Sequence, residues 1–187
     1  MFIRSERLFL RPAWPEDWPE LLERIQDETV ARNLAKVPWP YTADDARWFA
    51  GQPQHPRMPH FFVTLPTSAA PAELIGCVGL APDGDEVELG YWFARAHWGQ
   101  GYASEAARAV LSLARTLGHR RLRAGHFVDN PASGRVLRKL GFRPTGEVRP
   151  RFSLARGHEV DSVEHALDLN GSDNCDGPDG RKFDRAA

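Results

Sequence analysis

The stretch YWFARAHWGQGYASEA, residues 91–106, runs from the end of an apolar strand through a glycine-spaced turn into a helix. Gly99 and Gly101 carry no Cβ, so the backbone there can adopt angles closed to other residues and lie close to a ligand. Beyond them Ala106, Ala107, Val110, Leu111, Ala114 and Leu117 recur at the spacing of one buried helical face, which predicts a helix over 103–117. The exposed amides of the first turn and the positive end of the helix dipole therefore meet at residues 100–104. That setting suits a phosphate or pyrophosphate. Glycine turns of this kind also serve plain strand-to-helix packing, and the turn alone does not choose between the two.

Just upstream, VELGYWF (87–93) is apolar apart from Glu88 and predicts a strand covered on both faces. Asp83 and Gly84 mark a hairpin turn back to the strand LIGCVGL (74–80), and HFFVTL (60–65) makes the third member of the meander. Before these strands come a Pro- and His-rich loop over 52–59, a helix from Thr42 to about Ala50, and the segment VPWPY (37–41), whose two prolines forbid regular structure. Asp17 caps a helix through Leu21, Leu22 and Ile25, a second helical piece covers 28–35, and RLFLR (7–11) alternates as a short strand. Downstream, 122–128 is a strand. Asn130 and Pro131 then open a helix with the buried stripe Val136, Leu137 and Leu140 and a stop at Gly141. Closing strands are expected over 148–154 and 160–167. The result is an α+β fold around a mixed central sheet of six to seven strands, within one domain over 1–169. From Asn170 onward the chain is rich in Gly and Asp, so a disordered tail is expected over 170–187.

The totals narrow the function classes. At 187 residues with 42% hydrophobic content the chain can bury a core without metal or disulfide staples. The 24 basic and 25 acidic residues leave a net charge of −1, which advertises neither nucleic acid nor an anionic membrane as a bulk partner. Cys77 and Cys175 make no disulfide framework, no apolar run approaches a membrane span, and a cytoplasmic location is expected. The seven histidines lack metal-ligand spacing, so no metal is expected. A nucleotide-binding or phosphoryl-transfer protein is disfavoured because no G-x-x-x-x-G-K-[ST] sequence occurs.

Three blocks together resemble one family. The turn Gly101-Tyr102-Ala103 after an apolar strand, the segment NPASGRVLRKLGF (130–142) and the opening SERLFLRP (5–12) are similar to the GNAT N-acetyltransferases, in the branch of the RimJ/RimL-like ribosomal-protein alanine N-acetyltransferases. The resemblance covers residues 4–169. It implies a strongly twisted sheet with a splay between the strands 87–93 and 122–128, acetyl-CoA as cosubstrate, and an amine acceptor, either a protein N-terminus or a small molecule. Homodimers are common among such enzymes. Trp92, Phe93 and Ala94 would lend backbone groups to the pantetheine arm as an added strand does. Trp98, Gly99, Gln100, Gly101, Tyr102, Ala103 and Ser104 would receive the pyrophosphate, and Asn130 and Ser133 would face the thioester. Trp98 departs from the Gln or Arg usual in the wider family, which leaves more of that binding to backbone amides. By family position, Trp39, Trp48, Phe49 and the 52–59 loop would shape the acceptor pocket.

Acetyl transfer needs a neutral amine, a stabilised oxyanion and a proton for the departing thiolate. Ser133 matches the family position of the proton donor; a serine in a helix's first turn also satisfies local amides. Glu88, alone among apolar neighbours, is a candidate base whose pKa burial would raise, and a salt-bridged glutamate is the plainer reading. His126 is the other candidate base, with a packed, hydrogen-bonded histidine as its alternative. A catalytically silent acyl-CoA sensor would carry the same binding residues.

Overall fold

Strand pairing supplies the frame. The computed structural model describes residues 1–68 and 71–170. Among these residues eight strands form one sheet: β1 (Ile3–Arg4), β2 (Phe9–Arg11), β3 (His60–Leu65), β4 (Glu73–Asp83), β5 (Glu86–Phe93), β6 (Arg121–Phe127), β7 (Arg143–Ser153) and β8 (His158–Asp168). Their order across the sheet is β1-β2-β3-β4-β5-β6-β8-β7. Only β5 and β6 run parallel; the other neighbours are antiparallel. The expected α+β fold forms, with a correction to the strand count of six to seven. The added strand is β1, too short for an alternation pattern to register, which pairs Ile3 with Leu10.

Among the described residues five α-helices accompany the sheet: α1 (Trp18–Ile25), α2 (Glu28–Ala31), α3 (Ala43–Ala50), α4 (Tyr102–Thr116) and α5 (Pro131–Lys139). Thr42 caps α3 through a reciprocal pair, its N–H donating to Asp45 Oδ2 at 2.9 Å and its hydroxyl accepting the Asp45 N–H at 3.2 Å. α2 is shorter than the 28–35 read from the sequence: past Arg32 the N–H groups of Asn33 and Leu34 donate only three residues back, to Val30 and Ala31, and the α-helical ladder stops. The hairpin between β4 and β5 turns at Gly84, which holds φ +61.

Side chains alternate across β5. Leu89 and Phe93 enter the core beneath α4 and α5 with Ala106, Val110 and Leu137. Trp92 faces the other way, into the core beneath α1 and α3 with Leu21, Ile25, Tyr41 and Cys77. Each such side chain, fully buried, stabilises the fold by about 1.5–3 kcal/mol. A slip of one residue would exchange the two sets, so the register of β5 is strongly specified.

Beyond Asn170, the expected tail and Cys175 lie outside the described residues. Among the described residues no helix is long and apolar enough to cross a membrane. No group of three or more His, Cys, Asp or Glu side chains among them is arranged to hold a metal ion.

Candidate active site

β5 and β6 start side by side with Glu88 opposite Arg123, the one registered pair between them among the described residues. Both strands run on, to Phe93 and Phe127, and so part from each other. A cavity of about 580 Å³ follows the parting, with Glu88, Tyr91, Gly99, His126 and Ser133 in its wall.

At one end of the cavity lies the glycine turn. Gly99 and Gly101 hold φ +74 and +83, a region that side-chain-bearing residues avoid. An added Cβ on Gly99 would meet nothing within 4 Å, so the turn is open to a close approach. Gly101 is the N-cap of α4 and brings no side-chain acceptor to it. The amides of Tyr102, Ala103 and Ser104 thus lack the capping bond that Thr42 and Asn130 give to α3 and α5.

The turn is braced from the N-terminal segment. Arg7 Nη1 donates to the Gln100 carbonyl at 3.1 Å, while Arg7 N and Nε and Ser5 Oγ each donate to the Glu105 carboxylate at 2.7 Å. Burial by itself would raise the Glu105 pKa; these donors outweigh it and hold the carboxyl below its ordinary range. The SERLFLRP block therefore has a mechanical task that its sequence did not declare.

Between turn and strand, Trp98 Nε1 donates to the Phe93 carbonyl at 2.7 Å, and the Gln100 side-chain amide donates to the Ala96 carbonyl at 3.1 Å. The Ala94 N–H donates to the Ile75 carbonyl at 2.9 Å, on the β4 side. Peptide groups alternate in direction along a strand, so the N–H of Phe93 points toward β6 and the cavity.

The far wall is α5. Asn130 Oδ1 accepts the Ser133 N–H at 3.2 Å and so caps the helix. Ser133 Oγ lies 2.8 Å from Tyr91 Oη, a partner hidden from sequence reading inside an apolar strand. Burial pushes the Tyr91 phenol up to about 12, so it stays protonated at neutral pH. His126 packs against the same turn of α5: an added Cβ on Gly134 would come within 2.5 Å of His126 Nε2. Its Nδ1 sits 2.9 Å from the Phe127 carbonyl, and its ring centroid is 5.2 Å from that of His165.

Glu88 alternates with Leu89 and lies on the opposite face, toward α1 and α3. Arg151 Nη1 donates to Glu88 Oε1 at 2.6 Å. Burial raises the Glu88 pKa, and Arg151 offsets only part of that rise. Gly125 leaves room beside this pair for Ser162 and Glu164, since an added Cβ would come within 2.8 Å of Ser162 Oγ and 3.0 Å of Glu164 Oε1. The structure thus groups Ser133 and His126 on the α5 side and sets Glu88 across the cleft.

The β7–β8 turn closes part of that second side. Arg156 donates to both Asp129 oxygens at 2.8 and 3.0 Å and to the Arg32 carbonyl at 2.9 Å. The Leu154 N–H donates to the Ala35 carbonyl at 3.0 Å. Asp129 thereby serves Arg156. Of the aromatic residues expected near an acceptor, Phe49 borders the cavity, whereas Trp48 is 67% exposed.

A mixed sheet parted at its parallel pair, with a glycine turn and helix N-terminus beside the gap, defines the class of protein. Residues 7–143 match the family model described as an acetyltransferase (GNAT) domain, and the chain belongs to that family. Over 99 residues it is 42% identical to the uncharacterized N-acetyltransferase YoaA of Bacillus subtilis (strain 168), a stretch that covers 51% of this chain and 55% of that protein. The chain thus spans about half the length of the first curated relatives it matches. Among solved structures, the acetyltransferase (GNAT family) from Bacillus anthracis superposes with a TM-score of 0.77 at 26% identity, covering 91% of this chain and all (100%) of that one. The RimL ribosomal L7/L12 alpha-N-protein acetyltransferase, solved with coenzyme A, superposes with a TM-score of 0.72 at 20% identity, covering 90% of this chain and 98% of that one. At that identity the second likeness is one of fold.

Proposed function

We propose that the chain is an acetyl-CoA-dependent N-acetyltransferase of the RimJ/RimL-like branch, passing the acetyl group directly to a primary amine in a ternary complex. The observation that carries this reading is the meeting of an uncapped, glycine-built helix N-terminus with a cleft between two parting parallel strands. The diphosphate of the cosubstrate is taken by the amides of residues 99–104, with the positive end of α4 behind them. Trp98, committed to Phe93, acts as a wall of that turn. The pantetheine arm follows the gap along residues 92–94. There the Phe93 N–H faces the thioester and stabilises the oxyanion that forms on it. Asn130 fixes the start of α5 and so the place of Ser133.

The amine enters from the side of α1 and α3, where Trp92, Tyr41 and Val37 surround the approach to Glu88. A carboxyl with a raised pKa accepts the amine's proton, directly or through water. The amine nitrogen bonds to the carbonyl carbon, the C–S bond breaks, and Ser133 Oγ–H supplies the proton that the sulfur needs. Glu88 is assigned the base in preference to His126 because it faces the acceptor side, whereas His126 is wedged on Gly134 behind Ser133. A unit of residues 1–169 in the cytoplasm suffices for this chemistry. The acceptor is a protein N-terminus or a small amine with an apolar body.

The test is release of the CoA thiol from acetyl-CoA across a panel of polyamines, amino-acid amides and N-terminal peptides. Turnover with at least one of them is expected, with a loss of about 10²-fold or more in Ser133→Ala and Glu88→Gln. Binding of CoA without turnover for any amine would make the chain a sensor, and no binding of CoA would sink the reading.

A further inference from the structure

We infer that Tyr91 is a positioning residue for the acyl-transfer step, holding the Ser133 hydroxyl so that its proton points at the departing sulfur. This deepens the proposed function and rests on the part given there to Ser133. Tyr91 Oη lies 2.8 Å from Ser133 Oγ and 3.3 Å from the Ser133 carbonyl oxygen, so both of its hydrogen-bond neighbours belong to one residue. A carbonyl oxygen only accepts, and the phenol carries a single hydrogen. That hydrogen is therefore aimed at Ser133, between its two oxygens. The two residues come from different elements, β5 and α5, and both border the same cavity.

The 2.8 Å contact to Oγ is the shorter of the two, and the phenol's hydrogen is assigned to it. A serine hydroxyl rotates freely unless something fixes it. With the phenol donating to Oγ, the serine's own hydrogen cannot point back at Tyr91 and is left for the cavity. The donated bond also draws charge from Oγ, which makes its proton easier to give. During transfer the C–S bond breaks, the electron pair goes to sulfur, and the Ser133 proton follows it. Oγ regains a proton from the one that the amine gave up to Glu88, carried by water, while Tyr91 keeps its own and goes on donating to Oγ. Protons and charge balance without a further reactant. Local sequence carries no sign of this pairing, because the partners lie 42 positions apart and Tyr91 reads as one more aromatic of a buried strand.

The experiment is a double-mutant cycle with Tyr91→Phe and Ser133→Ala, measuring kcat, KM for acetyl-CoA and CoA binding by titration calorimetry. Tyr91→Phe keeps the ring and its packing, so CoA binding within about twofold of the parent certifies the fold. The expected result is a fall in kcat of about tenfold in Tyr91→Phe with KM for acetyl-CoA nearly unchanged, and no further fall when it is added to Ser133→Ala. Losses that multiply in the double variant would overturn the inference. So would an unchanged or raised kcat in Tyr91→Phe, which would mean that the serine had been donating to the phenol. If Ser133→Ala alone leaves kcat intact, the earlier assignment of Ser133 fails as well. A fall in Ser133→Ala with none in Tyr91→Phe overturns the Tyr91 inference alone.

Discussion

At the scale of single residues, Glu88 and Gly101 put the chemistry and the binding to separate tests. The Glu88 carboxyl titrates above its ordinary value of 4.5 because it is buried, with Arg151 opposing. A base with a raised pKa is protonated, and idle, at a higher pH than a solvated glutamate. The acid limb of the kcat profile should therefore lie above the solvated range, and Glu88→Gln should remove it while CoA affinity stays within about twofold. Gly101 holds φ +83, where a β-branched residue is strained by about 1–3 kcal/mol. Gly101→Val should weaken CoA binding by at least about tenfold in calorimetry, and unchanged affinity would remove the turn from the diphosphate site. The glycines were legible in the sequence because turn chemistry is local. Arg151 was not, since it meets Glu88 across 63 positions of chain and only the packing of β7 beside β8 delivers it.

At the scale of elements, the N-terminus of α4 depends on the turn that joins β1 to β2. Glu105 gathers donors from Ser5 and Arg7, and Arg7 in turn grips the Gln100 carbonyl. Because its folded pKa is depressed, Glu105 contributes stability that is present above the unfolded value, ordinarily 4.5. That contribution is lost as the pH falls through the lower folded value. Urea denaturation should accordingly find Glu105→Gln less stable than the parent near neutrality, with the gap closing in acid. The same variant should bind CoA several-fold more weakly, since the turn loses its brace. Strand and helix identities followed from period and caps, as with Asn130 before α5. The missed β1 and the shortened α2 are where a two-residue pairing and a change to three-residue turn bonding override the local pattern.

At the scale of the whole molecule, the β7–β8 turn, the loop after α2 and the end of β6 are tied by Arg156, Asp129 and Arg32. The Arg156 hydrogen bond to Asp129 is the main reason that carboxyl titrates below its usual range. Arg156→Ala should loosen the roof on the acceptor side, raising KM for the amine several-fold while leaving CoA affinity unchanged in calorimetry. A parallel rise in the CoA dissociation constant would show that the two sides are not independent. Family, fold and cosubstrate were legible because three motifs with local causes sit in the right order. The side of the cavity proposed for the acceptor was not, because its lining comes from α1, α2, α3 and β7, brought together only by folding.

The parting of β5 from β6 leaves the sheet as two panels that share little main-chain bonding. What crosses the seam near its closed end is charge: Glu86 with Arg121 and Arg123, Asp83 with Arg149, and Glu88 with Arg151. A ligand lying in the gap would act as the missing stitch, stiffening a joint that thermal motion can otherwise flex. Hydrogen–deuterium exchange should find the Phe93 amide slowed by CoA far more than amides deep in either panel.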